Sequence, residues 1–102
     1  MSVDEPIPGM LEFPLYQTFR IHDLDSFTGF SPTDMANFRQ HWSRAQIASL
    51  TEALAWAVEH PDADYAGVLP NLLFSNPQLV RYLRVLHQQF AQATEEWYGE
   101  SA

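Results

Sequence analysis

The chain has 102 residues and a formal net charge of −8, from 13 acidic and 5 basic side chains. Every basic residue is arginine and there is no cysteine, which excludes disulfide scaffolds, thiolate metal sites and cysteine nucleophiles. The charge opposes binding to nucleic-acid backbones and anionic membranes, and a 46% hydrophobic fraction with 7 Phe, 4 Tyr and 3 Trp excludes a disordered chain.

A single domain over residues 1–102 is expected at this length. The longest strictly apolar run, Ala53 to Val58, is far shorter than the ~20 residues of a membrane span. Met1 to Pro6 lacks the basic and apolar regions of a signal peptide, so a cytoplasmic protein with no membrane contact is expected. The acid is unevenly placed. Asp4, Glu5, Glu12, Asp23, Asp25 and Asp34 face only Arg20 in the first third, whereas the helical middle is nearly neutral.

Residues 1–12, with Pro6, Pro8 and Gly9 beside Asp4 and Glu5, read as a flexible acidic arm. Residues 13–30 read as an extended or strand segment followed by a loop. Phe13, Leu15, Phe19 and Ile21 alternate with Tyr16, Thr18, Arg20 and His22, the pattern of a half-buried strand at 15–22. Such a strand pairs with the stretch near Phe27–Phe30, with a second copy or with a partner, or it lies as an extended arm across helices.

Residues 31–98 form the expected helical core. Ser31-Pro32-Thr33-Asp34 is a helix start, with a capping serine, proline at the first position and an acid in the first turn. Met35, Phe38 and Trp42 then make one apolar stripe, and Ile47, Leu50, Leu54, Ala57 and Val58 a second, rotated one. Ser43 and Gln46 sit at the phase change like a capping box. Two helices, 32–42 and 44–60, fit better than one bent helix, and Pro61 ends the second. Asp62 to Ala66 reads as a polar connection and Val68 to Phe74 as short helical turns. Asn76-Pro77 repeats the start signal. Leu79, Leu83, Leu86, Phe90, Ala93 and Trp97 follow a helix-packing spacing over a last helix at 77–97, antiparallel to the one at 44–60. The expected fold is mainly α: a small helical domain of three to four helices with the N-terminal extended or strand segment packed on or beside it.

Motifs that carry chemistry are scarce. His22-Asp23-Leu24-Asp25 holds an imidazole and two carboxylates in a loop, a donor set suited to a divalent cation. It lacks the repeated acids and closing glutamate of a calcium-binding loop, so Asp23 and Asp25 read as turn formers. His22, His41, His60 and His87 show no ligand spacing, the glycines are scattered, and no serine has a nucleophile context. Arg81 and Arg84 read as ion-pair partners of Asp62, Asp64 or Glu95. The aromatics exceed what a few helices need, and Tyr16, Phe27, Phe30, Trp42 and Trp97 are candidates for an exposed contact surface.

The resulting expectation is a non-catalytic acidic protein that binds another protein, as an adaptor, assembly factor or inhibitor, with no cofactor, catalytic residue or metal site. Tyr16, Asp23, Asp25, Phe27, Phe30, Asp34 and Trp42 are the candidate contacts, facing a partner with a basic surface. One alternative is an inhibitor, immunity or anti-defence protein that blocks a basic nucleic-acid-binding protein. Another is a small-ligand or metal-binding protein using the His22–Asp25 loop. Direct nucleic-acid binding is not expected, and a homodimer would reuse the strand or the helix seam.

Overall fold

Three serines start the three long helices. The computed structural model describes residues 7–21, 23–72 and 74–98. In it Ser31 Oγ accepts the Asp34 N–H at 3.1 Å at the start of a helix over Pro32–His41. Ser43 and Gln46 form a reciprocal capping box, with bonds of 2.8 and 3.0 Å, before a helix over Arg44–Glu59. Ser75 and Gln78 repeat that exchange at 2.9 and 3.4 Å before Asn76–Tyr98. A shorter helix, Glu12–Gln17, precedes all three. We number them α1 (Glu12–Gln17), α2 (Pro32–His41), α3 (Arg44–Glu59) and α4 (Asn76–Tyr98).

Residues 32–60 therefore form two helices. Trp42 and Ser43 break the run with extended backbone, at ψ 142° and 162°. His60, ahead of Pro61, leaves helical geometry at φ −127° and ψ 63°. The start of α4 differs by one residue from the expected cap. Ser75 caps the helix, and the Asn76 amide instead ties down the preceding connection, donating to the Ala63 carbonyl at 2.8 Å and accepting from the Ala66 N–H at 3.1 Å.

The helices α3 and α4 pack antiparallel, since Arg44 at the start of α3 lies over Tyr98 at the end of α4. Ile47, Leu50, Leu54 and Ala57 meet Leu79, Leu83, Leu86, Phe90 and Ala93, all of them buried. The connection between these helices is less polar than expected. Tyr65 is fully buried in a one-turn helix over Tyr65–Gly67, and its hydroxyl donates to the His60 carbonyl at 2.7 Å. The helical turn expected within 68–74 lies here instead, where Asp64 caps the Gly67 N–H at 3.1 Å.

The main correction concerns the N-terminal third. Among the described residues there is no strand, and 15–21 is helical to Arg20, with α1 passing into a tighter turn over Thr18–Arg20. Leu11, Leu15 and Thr18 are all buried, and that i, i+4, i+7 spacing is helical. The alternation of Phe13, Leu15, Phe19 and Ile21 is a coincidence of composition, because Phe19 is 46% exposed. Pro14 sits in the first turn of α1, where a missing N–H costs nothing. Residues 9–12 of the expected arm are helical, with Gly9–Leu11 forming a turn and Leu11 buried, while residues 1–6 lie outside the described residues. Among the described residues no helix is long and apolar enough to cross a membrane.

Two tests follow from this packing. Leu86→Ala, at a fully buried position, should lower unfolding free energy by about 2–5 kcal/mol in a denaturant melt. The second concerns alkaline pH. Burial pushes the Tyr65 hydroxyl up to about 12 from its ordinary 10.0 and raises that of Tyr82 further. Both phenols therefore hold their protons more tightly when folded, so their contribution is complete below pH 10 and falls as pH rises through 12. With no lysine in the chain, this window belongs to tyrosine. Melts between about pH 9 and 12 should show falling stability, with a shallower fall in Tyr65→Phe.

Candidate functional site

The inward face of α1 is set by Leu11, Pro14, Leu15 and Thr18, so Glu12, Tyr16 and Phe19 point outward. Tyr16 and Phe19 are the large hydrophobic side chains left exposed among the described residues, at 61% and 46%. Their rings meet edge to face, with centroids 5.6 Å apart. Leaving two adjacent aromatics in water forgoes burial that the rest of the chain achieves. What positions them is α4: the Tyr82 hydroxyl donates to the Pro14 carbonyl at 2.6 Å in a buried contact. There the helix tightens, the Thr18 N–H turning back to the Leu15 carbonyl.

The loop from Asp23 to Phe30 is pinned to the same helix by side chains on one of its faces. Gln78 Nε2 donates to the Asp25 carboxylate at 3.3 and 3.4 Å. Arg81 donates to the carbonyls of Leu24 and Phe27 at 3.1 and 3.3 Å. Gln89 takes both sides of the Phe30 backbone, accepting its N–H and donating to its C=O, each at 2.8 Å. Arg81 thus serves as a backbone clamp and not as the expected partner of Asp62, Asp64 or Glu95. Gly29 lets the chain reach Gln89. Its φ is +130°, and a Cβ there would meet the Gln89 amide oxygen at 3.0 Å.

The candidate contacts divide into two groups. Tyr16, Asp23, Asp25 and Asp34 are exposed. Phe27, Phe30 and Trp42 are half-buried, as is Trp97, and the first three belong to an internal aromatic cluster. Phe38 is its hub, with ring centroids 5.5 Å from Phe13, 5.2 Å from Phe30, 6.3 Å from Trp42 and 5.9 Å from Phe90. Phe27 lies 4.9 Å from Tyr82. These half-buried rings join the N-terminal segment to the core. Phe19 is the exposed aromatic that sequence reasoning missed, because period-2 alternation placed it on the buried side.

The metal-binding alternative gains nothing from this geometry. Asp23 accepts from Ser26 Oγ at 2.7 Å and Asp25 from Gln78, and His22 lies outside the described residues. Among the described residues no group of three or more metal-competent side chains comes together. The concave feature beside the aromatic pair is a cleft of about 460 Å³ between the end of α1 and the start of α2. Phe27, Phe30, Phe38 and Ile21 line it together with Arg20, Ser31, Asp34 and Asn37. A larger groove of about 700 Å³ runs between α2 and α4, with the Arg39 guanidinium 5.8 Å from the Trp97 ring.

The Gln89 clamp generates a prediction. Gln89→Ala strands the Phe30 N–H and C=O and should cost about 1–3 kcal/mol in unfolding free energy, with faster hydrogen exchange at the Phe30 amide. No family model, curated protein or solved structure matches this chain, so its functional reading rests on this surface alone.

Proposed function

We propose that this protein is non-catalytic and acts by binding another protein through the face formed by α1 and the 23–34 segment. The observation that carries the reading is the exposed Tyr16–Phe19 pair, held on a short helix that α4 fixes in place. Rigid aromatics with a polar rim are the side chains that dominate interface energies. Around them Glu12, Asp23, Asp25 and Asp34 are exposed against Arg20 alone, which favours a partner with a basic surface. A cytoplasmic setting suits a chain with no disulfide to form.

The narrower reading, an inhibitor that fills the groove of a nucleic-acid-binding protein, has less support. Beyond α1 the acids of the helices are offset by Arg39, Arg44, Arg81 and Arg84, so no long rigid face carries acid alone. Assembly or adaptor roles require only the local face.

The test is comparative capture. Wild-type protein and a Tyr16→Ser/Phe19→Ser double variant, checked for equal helicity and melting, are used as bait against an extract of the source cells. A protein recovered with the wild type is then titrated against both. Truncating hot-spot aromatics costs about 2 kcal/mol or more, roughly thirtyfold in affinity, and the on-rate should fall with salt. Equal binding by the two baits would remove the reading.

A further inference from the structure

From the bare side of the α3–α4 hairpin we infer that the protein pairs with a second copy of itself. This surface is separate from the docking face proposed above. The molecule measures 37 × 33 × 19 Å, so along its shortest dimension it is about two helices thick. One layer consists of α1, α2 and the 23–30 loop, held through Leu15, the Phe38–Phe90 contact and the clamps from Gln78, Arg81, Tyr82 and Gln89. The hairpin is the other. On its opposite side runs a groove of about 340 Å³ lined by α3 and α4 alone, among them Ala48, Thr51, Ala55 and Thr94, with Arg44 and Tyr98 at one end. Short side chains there let another helix pair approach closely.

Charge selects the second copy as occupant. At −8 two copies repel wherever acid dominates, as it does around α1. The bare side is different, because its charges complement themselves under a twofold axis. Arg44 lies against Tyr98 at one end of the hairpin. Two turns in from that contact, Thr51 and Ala91 share a level. An axis crossing the hairpin there lays α3 antiparallel on the α3 of the second copy, and α4 on its α4. It sets Arg44 against Glu59, Ala48 against Ala55 and Arg84 against Tyr98, each pairing occurring twice. The charged members, Arg44, Glu59 and Arg84, are all exposed, and the Arg84 guanidinium meets an aromatic face.

The ends of α3 point the same way. Its first residue is Arg44 and its last is Glu59, with no acid in the first turn and no base in the last. Both charges oppose the helix dipole. An antiparallel second α3 brings a glutamate to the N-terminal end and an arginine to the C-terminal end, which compensates both.

The experiment uses the full chain, which has no native cysteine. Sedimentation equilibrium from low micromolar to near-millimolar concentration should show a reversible passage from one-chain to two-chain mass. Arg44→Glu and Glu59→Arg, checked for unchanged helicity, should each weaken the dimer by about tenfold, because two exposed ion pairs become repulsions. The exchange Arg44→Glu/Glu59→Arg should restore most of the loss. Ala91→Cys, beside the axis, should oxidise to a two-chain species, whereas Ala36→Cys, exposed on α2 at the other layer, should not. A one-chain mass at every concentration, additive losses in the exchange variant, or equal cross-linking by the two cysteines would each overturn the proposal. So would a dimer lost in Tyr16→Ser/Phe19→Ser and untouched by the charge reversals, which would place self-association on the α1 face.

Discussion

A six-residue helix and an irregular loop cannot satisfy their own backbone groups, and in this protein α4 does it for them. Its apolar face closes the core against α3. On its flank, Gln78, Arg81, Tyr82 and Gln89 reach the carboxylate of Asp25 and the backbone of Pro14, Leu24, Phe27 and Phe30. The contacts to Pro14, Leu24 and Phe30, which are buried or partly so, satisfy groups that would otherwise cost free energy when removed from water. The polar side chains of α4 are thus as much a part of the fold as its leucines. The aromatic cluster around Phe38 adds the apolar half of the same junction.

This arrangement explains why the outward face of α1 is available. Leu11, Leu15 and Thr18 are drawn inward and Tyr82 fixes the Pro14 carbonyl, so the helix cannot roll to hide Tyr16 and Phe19. The exposed pair is the cost of an anchor that fixes the rotation of α1. A surface held this way needs little reordering to bind, which favours affinity.

The helical core was legible in the residues because its signals are local. Ser31-Pro32, Ser43 with Gln46, and His60-Pro61 mark boundaries within a few residues, and the α4 seam repeats over several turns. The N-terminal third was not. Over nine residues, Leu15 and Phe19 fit a strand and a helix equally well, and the deciding contacts come from residues far along the chain. Gln89 carries no sequence signal for its role, since a glutamine beside a seam resembles any solvated helix position. The site was half legible for the same reason. Tyr16 and the acids are exposed as expected, whereas Phe19 was hidden by the wrong period and Phe27, Phe30 and Trp42 are half-buried in an aromatic cluster.

The separation of those clamps along the chain has a kinetic meaning. The Gln89–Phe30 bonds join residues 59 apart and the Tyr82–Pro14 bond residues 68 apart, whereas only residues 60–75 separate α3 from α4. Loop closure makes distant contacts the slower ones to form. The α3–α4 hairpin should therefore assemble first and serve as a template for the N-terminal segment, which docks last. The segment's anchoring by the Gln89 and Tyr82 bonds is then the closing step of assembly. The segment carries the exposed aromatic pair, so that surface takes its final form only once the rest of the domain is in place.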